Sequence, residues 1–167
     1  LGGSIELFEN GGQAVSWNWS GPVAWTSSSQ NPVRTPVTPA ESGWYSCTIE
    51  ANNGCSNVSY LYVEVIPSPS VNQPSDMVLC HNNNIGAINF SGSSPSATYA
   101  WTNNNSSIGL GASGTGNLPS FSVSNIGNAP ETATLTVTPY RDSLGVVCVG
   151  EPKSFTITVN PIPNVDV

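Results

Sequence analysis

One pattern occurs twice in this chain and limits what the chain can fold into. Residues Tyr62-Val63-Glu64-Val65-Ile66-Pro67-Ser68-Pro69-Ser70-Val71 alternate apolar and polar positions and then run into a Pro-x-Pro step. Thr156-Ile157-Thr158-Val159-Asn160-Pro161-Ile162-Pro163-Asn164-Val165 does the same, with Pro67 matching Pro161 about 94 residues later. Alternation with period two is the signature of a strand with one buried face. Proline then ends the ladder, because it has no amide hydrogen to donate, and holds the connector extended. A strand-and-stop signal at that spacing marks the end of one module and the start of the next. Since little follows the second copy, the chain reads as a section of a longer string of modules.

The expected organisation is therefore a first β-sandwich over residues 1–66, a Pro-rich linker over 67–71, a second β-sandwich over 72–161, and the start of a further linker over 162–167. Composition agrees with an all-β class. Only 8% of the 167 residues are charged, against about 25% in ordinary domains. Gly, Pro, Ser, Thr and Asn take their place, and these break helices or compete for their backbone hydrogen bonds. The net charge is -7, with Arg34, Arg141 and Lys153 as the cations. Three scattered cations cannot form a phosphate-binding surface, so no nucleic-acid partner is expected, nor an anionic membrane surface. No apolar run reaches the roughly 20 residues that span a bilayer, so no membrane insertion is expected. No signal peptide is visible, and Leu1 reads as internal to a mature protein.

Within the first module, Ser4 to Phe8 and Ala14 to Trp19 are expected strands, the second with Val15, Trp17 and Trp19 on one face. Ser27 to Pro36 reads as a loop, with any strand short or at an edge because of Pro32 and Pro36. A strand from Trp44 to Glu50 should turn at Asn52-Asn53-Gly54 into another from about Val58 to Val65. In the second module the expected strands are Met77–Cys80, Ile85–Phe90, Ala97–Thr102 (Tyr99 and Trp101 on one face), Phe121–Val123, Ala133–Tyr140, Val146–Cys148 and Ser154–Val159. The glycine-rich run from Gly109 to Asn117 should be a surface loop. A phosphate-cradling loop would feed a helix, and no helical pattern or Walker-type lysine follows it.

Four cysteines suggest disulfides, on which small secreted domains often depend. Cys80 stands just before the first core strand of the second module and Cys148 just before the last. First and last strands can lie close in a sandwich, so a Cys80–Cys148 bridge is expected, worth about 4 kcal/mol on the loop-entropy model. Cys47 and Cys55 either pair across their hairpin or Cys55 bonds a cysteine before Leu1; spacing does not decide between them. Paired cysteines would put the chain outside the reducing cytosol.

No catalytic, cofactor-binding or metal-binding residue is expected. His81 is the only histidine, and a zinc site needs three or four convergent ligands. The acidic residues are dispersed, with no Asp-x-Asp-x-Asp cluster for calcium. Trp17 or Trp19 and Trp101 sit where a sandwich keeps a core tryptophan. Trp25 and Trp44 are less obviously core and are the candidates for stacking on a sugar.

Two stretches carry resemblances. Glu41-Ser42-Gly43-Trp44-Tyr45-Ser46-Cys47 resembles the Asp-x-Gly-x-Tyr-x-Cys run of immunoglobulin domains, in which the Tyr hydrogen-bonds back to the chain as a corner. The departure is that Ile5 to Phe8, the candidate partner strand, has no cysteine for Cys47. Tyr99-Ala100-Trp101-Thr102-Asn103-Asn104, Ala112 to Phe121, Ala133 to Pro139 and Cys148 to Pro161 resemble the PKD-like repeat of very large Bacteroidota surface adhesins. Those include gliding-motility adhesins exported by the type IX secretion system, and the first module is similar to the immunoglobulin-like repeats that accompany them. The resemblance implies two tandem immunoglobulin-like/PKD-like sandwiches in a secreted, cell-surface, filament-like protein. Its partners would be neighbouring repeats of the same chain, with self-association into fibres left open. Asp142-Ser143-Leu144 matches the sequon on which Bacteroidota attach O-linked glycans, which makes Ser143 a glycosylation candidate. The competing reading is a carbohydrate-binding accessory module of a secreted hydrolase, with surface polysaccharide as partner.

Overall fold

A computed structural model describes residues 2–163. It is all-β and separates into two compact units that divide between Pro67 and Ser68. The outer part of the expected terminal linker, 164–167, lies outside the described residues.

Among the described residues the first unit has six strands: β1 (Gly3–Glu6), β2 (Ala14–Gly21), β3 (Trp25–Ser27), β4 (Val33–Val37), β5 (Gly43–Ala51) and β6 (Ser56–Val63). β3-β2-β5-β6 form one antiparallel sheet and β1-β4 the other. The core between them is small: Ile5, Leu7, Trp19, Val37, Tyr45 and Cys47, with Trp17, Trp25, Ile49, Val63 and Val65 packed at its margin. The expected face of β2 holds at Trp17 and Trp19. It fails at Val15, which is exposed because the register with β5 slips between Ala14 and Ser16. β4 runs through Pro36 and, among the described residues, has β1 as its only ladder partner, so an edge position accommodates the missing amide.

The second unit contains β7 (Met77–Cys80), β8 (Asn84–Ile85), β9 (Thr98–Asn103), β10 (Ser113–Thr115), β11 (Phe121–Ser122), β12 (Glu131–Ser143), β13 (Val146–Val149) and β14 (Lys153–Asn160). The main sheet has the order β10-β9-β12-β14-β7, with β13 also on β12, and the small β11-β8 pair stands apart from it. β12 is its spine. Ala133, Leu135 and Val137 point inward with Phe155, Ile157 and Val159 opposite, while threonines fill the outer positions. The expected strand Ile85–Phe90 is broken: Ile85 pairs with Phe121, and beyond it only Ile88 makes a bridge, to Leu118. The glycine-rich run is only partly the expected loop: Leu110 and the preceding Ile108 are buried over the core, and Ser113–Thr115 form the edge strand β10 against β9. At Gly114 even a β-carbon would overlap the Trp101 ring.

β7 and β14 pair in parallel, Met77 beside Ile157 and Cys80 beside Asn160. The chain enters this unit at Pro69, whose carbonyl abuts Gly150, and the Gly150 amide in turn donates to the Pro139 carbonyl of β12. It leaves at Asn160, one residue past the Val159–Glu131 pair. Entry and exit are therefore about eight residues of β12 apart, or ~26 Å, at opposite ends of the sheet. The expected linker 67–71 is shorter than the sequence suggested. Val71 is buried in the second core, and Ser70 exchanges hydrogen bonds with Ser93, so Pro69 to Val71 belong to the second unit.

Candidate functional site

Neither expected pairing within the chain, Cys80–Cys148 or Cys47–Cys55, forms, and all four cysteines are free among the described residues. Register explains both corrections. Cys47 lies opposite Ser59, whereas Cys55 sits four residues away beside Ala51, about 13 Å along the hairpin. Cys80 is level with Asn160 at the exit end, whereas Cys148 lies opposite Arg141 near the entry end. Some ten residues of β12, about 30 Å, separate those two levels. A disulfide needs Cα atoms within about 7 Å. Cys47 is buried in the first core together with Ile5 and Leu7, and burial, with a smaller contribution from the Glu9 charge, pushes its thiol pKa up. Under native conditions Cys55 and Cys80, both exposed, should react promptly with Ellman's reagent, and the half-buried Cys148 more slowly. Cys47 should react only on unfolding, and a Cys47 that reacts as fast as Cys55 would contradict this packing.

The most organised polar cluster surrounds Tyr45. Its hydroxyl donates to the Glu41 carbonyl at 3.0 Å, the corner expected from the immunoglobulin-like motif. Arg34, which the sequence placed in a loop, is buried beside it. Its guanidinium donates to the Tyr45 hydroxyl and the Pro22 carbonyl, approaches Glu41 at 3.5 Å, and lies over the Trp25 ring at 5.6 Å. Trp25 packs edge-on against Tyr45 at 5.7 Å, so it belongs to this cluster and is not free for a ligand. The signal that could have exposed Arg34 was its being the one cation before residue 141.

Glu41 also closes a capping box with Thr38 at the short 3-10 turn Pro39–Glu41. Hydrogen bonds from the Thr38 backbone and hydroxyl, and then the Arg34 charge, hold its carboxyl below the ordinary 4.5. A depressed carboxylate pKa contributes stability that is complete above the unfolded-state value and is lost as pH falls through the folded-state value. Urea denaturation of the first unit, read by tryptophan fluorescence, should therefore weaken below about pH 4.5. Glu41→Gln should flatten that dependence, and an unchanged pH profile in the variant would contradict it.

The remaining candidates have structural partners. His81 Nδ1 accepts from the Asn125 amide at 2.9 Å, and Asn125 itself is buried, donating to the Val159 and Ala129 carbonyls. Asp76 accepts from the Thr156 amide. Among the described residues no three His, Cys, Asp or Glu side chains gather as a metal site would require. Ser143 lies next to a hairpin tip, where Leu144 and Gly145 both adopt positive φ (53° and 83°) and Leu144 is 95% exposed. A shallow cavity of about 660 Å³ in the second unit is lined by Phe90, Tyr99, Thr115, Asn117 and Tyr140, without a charged group.

Trp44 alone among the tryptophans is set outward, with Tyr62 opposite it on β6 and Tyr60 two residues away. Trp44 stands out in the sequence but neither tyrosine does, since pairing across β5 and β6 decides which aromatics share its face.

No protein-family model matches the sequence, and no curated protein matches it. Among solved structures, the three N-terminal domains of the bacteriophage RB49 highly immunogenic outer capsid protein match with a TM-score of 0.53 at 11% identity. That match covers 97% of this chain and 65% of the phage chain, so this chain spans about two thirds of it. The insect immune protein hemolin (TM-score 0.47, 14% identity, 96% of this chain and 43% of that one) and murine CEACAM1b (0.42, 12%, 95% and 92%) are also similar. The sheets and the Tyr45 corner described above make the fold two tandem β-sandwiches of immunoglobulin-like type, and the first of these likenesses agrees with a tandem-domain arrangement.

Proposed function

We propose that this chain is a non-catalytic spacer segment of an extracellular, cell-surface adhesin or filament. The observation that carries the proposal is the parallel β7–β14 pairing in the second unit, with entry and exit at opposite ends of the sheet. Tension applied through the chain then acts along those two strands. Their hydrogen bonds are loaded together in shear rather than one after another. The Gln73 side chain, bonded to the Ser154 carbonyl, and Asp76, bonded to the Thr156 amide, tie the same two segments together.

The short connector, the low charge and the resemblance to PKD-like repeats of Bacteroidota adhesins support the adhesin reading. Neighbouring repeats of the same chain are its proposed partners. Ser143 is proposed as an O-glycan site, supported by its sequon and its place beside an exposed tip. The extracellular reading does not draw on disulfides, because the register separates the cysteines.

Intact source cells test the proposal. Antibody against this chain should label them without permeabilisation, and brief external protease should remove the signal. Labelling that appears only after permeabilisation would overturn it.

A further inference from the structure

The outer face of β5 and β6 carries three exposed aromatic side chains on two adjacent strands: Trp44 (66% exposed), Tyr60 (65%) and Tyr62 (58%). We infer that this face is a binding platform for a neutral polysaccharide. The inference goes beyond the spacer reading and does not depend on it.

A bland explanation covers part of the patch. Trp44 lies directly opposite Tyr62, with ring centroids 5.5 Å apart at 73°, and such cross-strand aromatic pairs stabilise a sheet. Tyr60 is not covered by it, since Ser46 stands opposite. Three contiguous exposed rings amount to roughly 400 Å² of surface, a size at which apolar patches on soluble proteins are often functional.

Area and charge decide the occupant. A stable protein interface needs about 800 Å² from each partner, twice what the rings offer. A saccharide of two or three rings needs far less. Its C–H faces stack on aromatic rings, and Tyr60 and Tyr62 stand about 6.6 Å apart along the strand. The adjoining positions supply hydroxyls for its polar edges: Ser46 and Ser20, linked to one another at 2.8 Å, and Thr48. The charges flanking this face are both carboxylates: Glu64, exposed two residues beyond Tyr62, and Glu50 at the far end of the hairpin opposite Ser56. With no cation on the face and a net charge of -7, an anionic polymer is disfavoured and a neutral one fits.

The test titrates the whole chain with soluble β-glucan, α-mannan, xylan and galactan, and with alginate as the anionic comparison, by calorimetry. At least one neutral polymer should bind and alginate should not. Trp44→Ala should weaken binding at least tenfold and Tyr60→Ser several-fold, both with unchanged circular dichroism, while Val146→Ser in the other unit leaves it unchanged. Three outcomes would overturn the inference. They are no binding by any neutral polymer, binding that survives both aromatic substitutions, and a glycan-blind chain whose self-association in sedimentation disappears with Trp44→Ala.

Discussion

Replacing Trp19 with alanine is expected to unfold the first unit and leave the second folded. Trp19 is 2% exposed and is the largest side chain in a core of six buried residues. Its indole N–H also donates to the Gln30 carbonyl, which would lose that donor. Truncating a buried tryptophan costs about 3–5 kcal/mol. Whole domains are stable by only about 5–15 kcal/mol, and a unit this small belongs at the lower end. The readout is direct, because Trp17, Trp25 and Trp44 report on the first unit and Trp101 on the second. The variant should show red-shifted emission at room temperature while a cooperative melting transition of the second unit persists. A chain that loses both units together would contradict the division into independent cores.

Gly150→Ala and Gly92→Ala are expected to destabilise the second unit by about 3 kcal/mol or more each, at or above the usual range for overpacking. A β-carbon at Gly150 would overlap the Pro69 carbonyl oxygen, and one at Gly92 would overlap that of Ser70. Both obstacles are backbone, so no rotamer change relieves them. The segment Pro69 to Val71 must lift, which exposes Val71 and releases the paired Ser70 and Ser93 bonds. Gly86→Ala is the control, since nothing lies within 4 Å of its β-carbon position. Its urea midpoint should stay near wild type. Equal losses at all three glycines would show that the close approach is not what these positions need.

How much of this was legible in the sequence differs from feature to feature. The inward alternation of Ala133, Leu135 and Val137 and the corner at Tyr45 are local, and local periodicity and motif suffice for both. The cysteine pairs depend on register. That β7 lies parallel to β14, and so carries Cys80 to the exit end, is a long-range fact no spacing records. The same is true of the patch: Tyr60 and Tyr62 alternate along β6 like any half-buried strand, and only an unoccupied outer face shows them to be free. Trp25 reads as less obviously core in the sequence because its partner, Arg34, sits in a stretch interrupted by two prolines. The linker misleads for a related reason. Pro-x-Pro marks where a ladder stops, and Gly92 and Gly150, which let the connector dock, are distant in sequence.

The most direct test of the account is to pull single molecules of the chain by its two ends. Two separate unfolding events are predicted, with contour-length gains of roughly 200 and 300 Å for the smaller and larger unit. The larger gain should come as one abrupt high-force step, as shearing of the β7–β14 pair requires. A single combined step, or a second unit that peels open gradually at low force, would contradict the account.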